Sequence, residues 1–211
     1  MIRNWLANRG LGRADAATVR WIVVDCETTG LDLDRARLLA IGAVAVHAAR
    51  IEINDSFSVR VRQDEPSEDS SIVIHGIGPT EQALGDRAWD ALQAFGEYVG
   101  EAPLAAFHAP FDRKILERER RTAGLHSVRW RWLDLAELLP VLYSGRMPSR
   151  SSLDDWLKSF GIHHPLRHDA LGDAFATAQL LQIALAEASR HKLRSVGELL
   201  AASSAHRWLA P

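Results

Sequence analysis

The chain has 211 residues, of which 47% are apolar and 25% charged, with a formal net charge of −2. That length buries a sizeable core as one domain with short extensions, and the charge balance excludes a broad basic field holding duplex nucleic acid by counterion release. No apolar run reaches the roughly 18 residues of a membrane span, and residues 1–20 lack the apolar stretch of a signal peptide. A single cysteine rules out an internal disulfide framework and fits a reducing cytoplasm.

Residues 1–20 read as an N-terminal extension, 21–190 as the principal domain, and 191–211 as a C-terminal helix and tail. The first strand signal is WIVVDCE, 21–27, β-branched and aromatic as in a strand buried on both faces. RLLAIGAVAV (37–46) and the alternating INDSFSVRV (53–61) follow as second and third strands, and their short connections permit an antiparallel meander. RQDEPSEDSS (62–71) is turn-like and polar. From Arg87 to Val99 the apolar residues recur at helical spacing. PLAAF (103–107) is a short fourth strand, FDRKILERERRTAG (111–124) a helix ended by Gly124, and RWRWLD (129–134) an alternating strand. Ser152 caps a helix over SLDDWLKSFG, and residues 169–190 form a long Ala-rich helix. Strands first, then strands alternating with helices, predict an α/β fold: a mixed central sheet with an antiparallel three-strand start and helices packed on it.

The first strand ends in two acids, Asp25 and Glu27. Strand alternation places them side by side on one face and turns Cys26 to the other. Adjacent ionised carboxylates at a strand end repel one another, and a hard divalent cation such as magnesium or manganese relieves that cost. For a D-x-E pair alone, two exposed acids are the commoner explanation, so the other acids matter. Asp112 follows the fourth strand at a helix start, and His168 and Asp173 lie at the start of the long helix. Five residues turn a helix through about 140° beyond a full circle, so His168 belongs in the loop or first turn, reaching toward a site that Asp173 faces. Ala170 and Gly172 keep the surface between them small. Four carboxylates at the ends of regular elements are a candidate two-metal site for a phosphodiester.

DCETTG (25–30), HAPFD (108–112) and HDALGD (168–173) resemble the three motifs of the DEDDh, DnaQ-like 3′→5′ exonucleases, a family that includes polymerase III epsilon-type proofreading subunits, RNase T and oligoribonuclease. The order and spacing of the motifs match from about Trp21 to Ala186, and HGI (75–77) resembles a further element bordering the terminal nucleotide. The resemblance implies an RNase H-like fold and hydrolysis of terminal phosphodiester bonds to nucleoside 5′-monophosphates with two divalent cations, Mg²⁺ or Mn²⁺. It implies Asp25 as the bridging ligand, Glu27, Asp112 and Asp173 completing the set, and His168 as general base. Glu27, Thr28, Thr29 and His108 become candidates to hold the substrate end, and Leu31, His75, Ile77 and Phe111 to frame its bases; ordinary packing explains the last four equally well. The expected partners are single-stranded nucleic acid or frayed 3′ ends, with a DNA polymerase and a second copy of the chain as further candidates and no membrane.

Two positions depart from the family pattern: His108 stands where Asn is usual, and Gly78 where Thr or Ser follows HGI. Gly78 loses a hydroxyl and a helix cap. Other features read as structure. Cys26 points into the core rather than acting as a nucleophile, and RKILERERR (113–121) is mostly a solvated helix face. His163, His164 and His168 suggest zinc, but Pro165 breaks the helix that would align the last two. Arg129–Trp132 suits either a half-buried strand or single-stranded nucleic acid. DCETT also approximates the D-x-D-x-T motif of haloacid-dehalogenase-like phosphatases, and a non-catalytic nucleic-acid-binding relative is the third class, although such relatives typically lose an acid.

Overall fold

The computed structural model describes residues 10–68, 72–73, 75–126, 129–148, 151–164 and 168–209. Pro165 and the end of the loop expected over 62–71 lie outside them. Five strands form one sheet: β1 (Trp21–Thr28), β2 (Leu38–His47), β3 (Arg50–Arg60), β4 (Leu104–Ala106) and β5 (Trp132–Asp134). Their order is β3-β2-β1-β4-β5. β1 pairs antiparallel with β2, and β2 with β3, whereas β4 joins β1 in parallel and β5 joins β4 in parallel. The antiparallel start and the mixed sheet are as expected.

Alternation along β1 feeds two cores. Trp21 and Val23 enter one with the long helix α6 (Ala170–Arg190), and Ile22, Val24 and Cys26 enter the other with α2 (Ala88–Val99) and α3 (Ala109–Thr122). An α-helix with buried residues around much of its circumference belongs inside, which is why the Ala-rich α6 lies across β1 and β2. Between α1 (Pro79–Ala83) and α6 the order runs α2, α3, α4 (Leu135–Leu142) and α5 (Leu153–Ser159), with α7 (Val196–Leu209) last. α4 is missing from the sequence expectations, although Leu135, Leu138, Leu139 and Leu142 are buried at helical spacing; its run is short with Pro140 inside, and the Asp134 cap, accepting from the Ala136 N–H, marks its start. α5 begins at the anticipated Ser152 cap.

Residues 14–16 and 194–199 join the same core. The Val196 N–H donates to the Ala14 carbonyl and the Ala16 N–H to the Arg194 carbonyl, and Ala16, Val196 and Leu199 are buried with α6. The basic helix α3 is less solvated than expected, because Arg120 is buried and donates to the Leu92 carbonyl. Its guanidinium lies 5.3 Å over Trp130, and Trp130 packs edge-on against Phe95. The Arg129–Trp132 stretch is thus built into the fold's edge.

Close packing of α6 on the sheet is set by Gly42. It pairs with Asp25 in the β1–β2 register, and a Cβ there would lie 2.2 Å from the Ala170 carbonyl carbon and the Leu171 nitrogen. Both are backbone atoms, so the helix itself would have to move. Gly42→Ala is expected to cost about 1–3 kcal/mol or more by overpacking. It should also depress activity, since Asp173 lies in the displaced first turn; paired thermal melts and nuclease assays measure the two effects.

Candidate active site

β1 carries Asp25 and Glu27 toward α6, and the two meet Asp173 there: ligand oxygens of the three carboxylates all lie within 4.8 Å of one another. Glu27 is 9% exposed and Asp173 5%, so this is charge held away from water. A β-irregularity falls between Glu27 and Thr28, where β1 stops following the register of β2. Beyond it the Thr28 hydroxyl donates to the Gly30 carbonyl, and the Thr29 hydroxyl accepts the Arg37 N–H. Those bonds close the turn after the acids. Leu31, 86% exposed, projects from the following loop.

Asp112 is not in that mutually close trio. It is 3% exposed in the first turn of α3, on the Cys26 side of β1. Burial pushes its carboxyl up to about 7, against hydrogen bonds from the Cys26 side chain and from the backbone of Asp112 and Cys26, with nearby Asp134 adding to the rise. The Cys26 thiol is itself raised well above its ordinary value, by burial first and then by Asp112. Cys26 is therefore core, as expected, and is held as a thiol rather than a nucleophilic thiolate.

Two histidines precede the helices that bring the acids, and both adopt left-handed backbone. His108 (φ 62°) is the N-cap of α3, and His168 (φ 61°) stands two residues before α6. Left-handed backbone is uncommon outside glycine, although Asn, Asp and His are enriched there, and it clusters at functional sites. Asn would suit that left-handed backbone as well as His does. The turn is pinned by the His108 N–H donating to buried Asp134. His168 has an exposed side chain, and its backbone N–H donates to Asp173 Oδ2 at 2.9 Å. Asp169, unnoticed in the sequence, caps α6 by accepting the Gly172 N–H.

A groove of about 550 Å³ opens at this site, walled by Glu27, Ala40, Arg60, His75, Ile77 and His168. It gathers four of the sequence-derived site residues. His75 is a lock: its Nδ1 accepts the Ile77 N–H at 3.1 Å, and Nε2 lies 3.2 Å from the Ser67 hydroxyl. Ile77 packs with Leu39, Ala40 and Ala170. Gly78 caps α1 with no side chain, leaving Glu81 to accept its N–H. Phe111 is half-buried against the α2–α3 core.

Burial lowers the His75 pKa, and an Nδ1 that accepts a bond must be unprotonated. A folded-state value below the unfolded one, near ~6.5, makes the histidine's contribution complete above that pH and lost as pH falls below it. Thermal melts from pH 7 to 5 should therefore show a steeper loss in wild type than in His75→Asn, whose amide oxygen can accept the Ile77 N–H at any pH.

The donor set fits hard divalent cations: oxygen ligands only, converging, with like charges whose repulsion a cation removes. Among the described residues no histidine joins that group, so the zinc pattern of His163, His164 and His168 has no counterpart in it.

An exonuclease family model, RNase_T, matches residues 22–181. DNA polymerase III subunit epsilon of Pasteurella multocida is 30% identical over 167 residues, 74% of this chain and 64% of that protein. This chain thus spans just under two thirds of that relative. Among solved structures, Escherichia coli exonuclease I in complex with a dT13 oligonucleotide superposes with a TM-score of 0.71 at 17% identity, over 83% of this chain and 43% of that one. The nuclease domain of 3′hExo, a DEDDh family member bound to rAMP, gives 0.71 at 18%, over 82% and 94%. Those two likenesses establish the RNase H-like fold. The three motifs, their order and the family match agree: the chain belongs to the RNase T-type exonuclease family, the DnaQ-like 3′→5′ exonucleases.

Proposed function

We propose that the chain is a metal-dependent 3′→5′ exonuclease acting in the cytoplasm on single-stranded nucleic acid or frayed 3′ ends, DNA or short RNA, and releasing nucleoside 5′-monophosphates. The observation that carries this reading is the convergence of Asp25, Glu27 and Asp173, of which Glu27 lines a groove that His168 also lines. Family membership displaces the phosphatase alternative, and retention of every motif acid argues against a non-catalytic relative.

Asp25, Glu27 and Asp173, with Asp112 from α3, are the residues to hold two divalent cations, Mg²⁺ or Mn²⁺. When bound, such ions polarise the phosphate and lower the pKa of the attacking water. His168, exposed on the groove, takes the proton from that water as general base. Glu27 and the backbone around Thr28 and Thr29 hold the terminal 3′-hydroxyl, which restricts attack to the end of a strand. Exposed Leu31 and half-buried Phe111 offer apolar contact to the last bases, while His75 and Ile77 shape the groove wall from within. The relatives' names, subunits of DNA polymerase III, support a polymerase as partner.

The test is side-by-side digestion of 3′- and 5′-labelled single-stranded DNA, duplex DNA and short RNA with Mg²⁺ or Mn²⁺. A 3′ label should leave at once as mononucleotide while a 5′ label shortens stepwise. A 3′-phosphate should block digestion, because it adds charge and bulk beside carboxylates. Cleavage of circular single strands, or equal cleavage of hydroxyl and phosphate ends, would overturn the reading.

A further inference from the structure

His164 belongs to none of the family motifs, yet its ring meets the site. Nε2 lies 2.7 Å from Asp173 Oδ1, and both side chains are only 8% exposed. The other Asp173 oxygen accepts the His168 backbone N–H. Each oxygen of this carboxylate is thus held by a donor from the segment that leads into α6. An ionised carboxylate only accepts, so the proton in the short contact sits on His164 Nε2. His164 is outside the group formed by Asp25, Glu27 and Asp173, so its ring backs the carboxylate instead of adding a fourth ligand.

From this geometry we infer that His164 is a positioning residue for Asp173: its Nε2–H fixes the rotamer of the carboxylate and so raises the affinity of the acidic trio for a divalent cation. The inference rests on the metal-dependent reading above. Outer partners that orient a ligand are worth about 10–100-fold in metal affinity. Imidazole suits this place because it donates along one direction from a rigid ring, and partial burial shields the bond from competing water.

Titration of the full chain with Mn²⁺ alone, following the free ion by electron paramagnetic resonance, tests this without any turnover. Wild type should bind and Asp25→Asn should lose tight binding. His164→Ala should weaken binding by about 10–100-fold. The side chain of Gln places an N–H close to the position of Nε2, and that of Asn falls short of it, so His164→Gln should stay near wild type and His164→Asn should behave like the alanine variant. This Gln–Asn contrast holds even where alanine unfolds the segment, because both amides are polar and fill the site. Alanine binding as tightly as wild type, or Gln as weakly as Asn, overturns the role of His164 while leaving the metal site standing. Failure of wild type itself to bind Mn²⁺ overturns the metal reading, and this inference with it.

Discussion

Asp25→Asn and Asp173→Asn should each remove nearly all turnover while the chain still folds. Each substitution replaces a charged ligand oxygen in a group whose oxygens lie within 4.8 Å, and the amide adds a donor where a cation needs only acceptors. Loss of a metal-borne interaction forfeits several kcal/mol of transition-state stabilisation, which is about 10³-fold or more in rate. Asp173→Asn carries a second penalty, because its two oxygens receive the His164 ring and the His168 N–H, and either orientation of the amide opposes one donor with another. Activity should vanish in EDTA and return with Mg²⁺ or Mn²⁺, with far-UV circular dichroism unchanged in both variants. Full activity in EDTA would sink the metal-dependent mechanism.

His168→Ala should lower kcat by about 10²–10⁴-fold, the usual worth of a positioned base. A base must be neutral to accept a proton, so the wild-type rate should rise along an acidic limb and level off, and the variant should lose that limb. The bond from His168 to Asp173 comes from backbone, so it survives the substitution, and Mn²⁺ binding should change little. Alanine tolerates the left-handed backbone at this position poorly, whereas asparagine tolerates it well. His168→Asn therefore separates loss of the base from strain, and both variants should show the same flat profile. His108→Asn restores the family's usual residue at the other left-handed position and should leave the limb in place, altering mainly substrate preference. If His108→Asn abolishes the limb while His168→Ala is nearly silent, the base is misassigned.

Much of this was readable from local patterns. Alternation in WIVVDCE is enough to put Asp25 and Glu27 on one face and Cys26 on the other, because a strand has a period of two wherever it lies. The five strands, the Ser152 cap and the long helix from residue 170 follow from the same periodicities and from capping chemistry. Even the loop placement of His168 came from counting turns of a helix. Such patterns describe one element at a time, and they are strongest where a segment is long. The eight residues of α4 bury Leu135, Leu138, Leu139 and Leu142 at helical spacing, but two turns interrupted by Pro140 are too short a run for that spacing to stand out.

Distances between elements were decided only in the tertiary structure. Asp112 begins its helix as expected, but its carboxyl is buried against the Cys26 thiol and falls outside the group in which Asp25, Glu27 and Asp173 lie within 4.8 Å of one another. His75 lines the groove, and the fold gives both of its nitrogens a partner that no sequence pattern shows. Gly42 sits in mid-strand with nothing nearby in sequence to explain it; its reason is the backbone of Ala170 and Leu171, which a methyl group would strike. His164 and Asp173 are nine residues apart with no periodicity to relate them, and only the tertiary structure brings them to 2.7 Å. Residue type and spacing determine which groups an element can present. Which groups then touch depends on how closely the elements pack, and that is settled by side chains and backbone far apart along the chain.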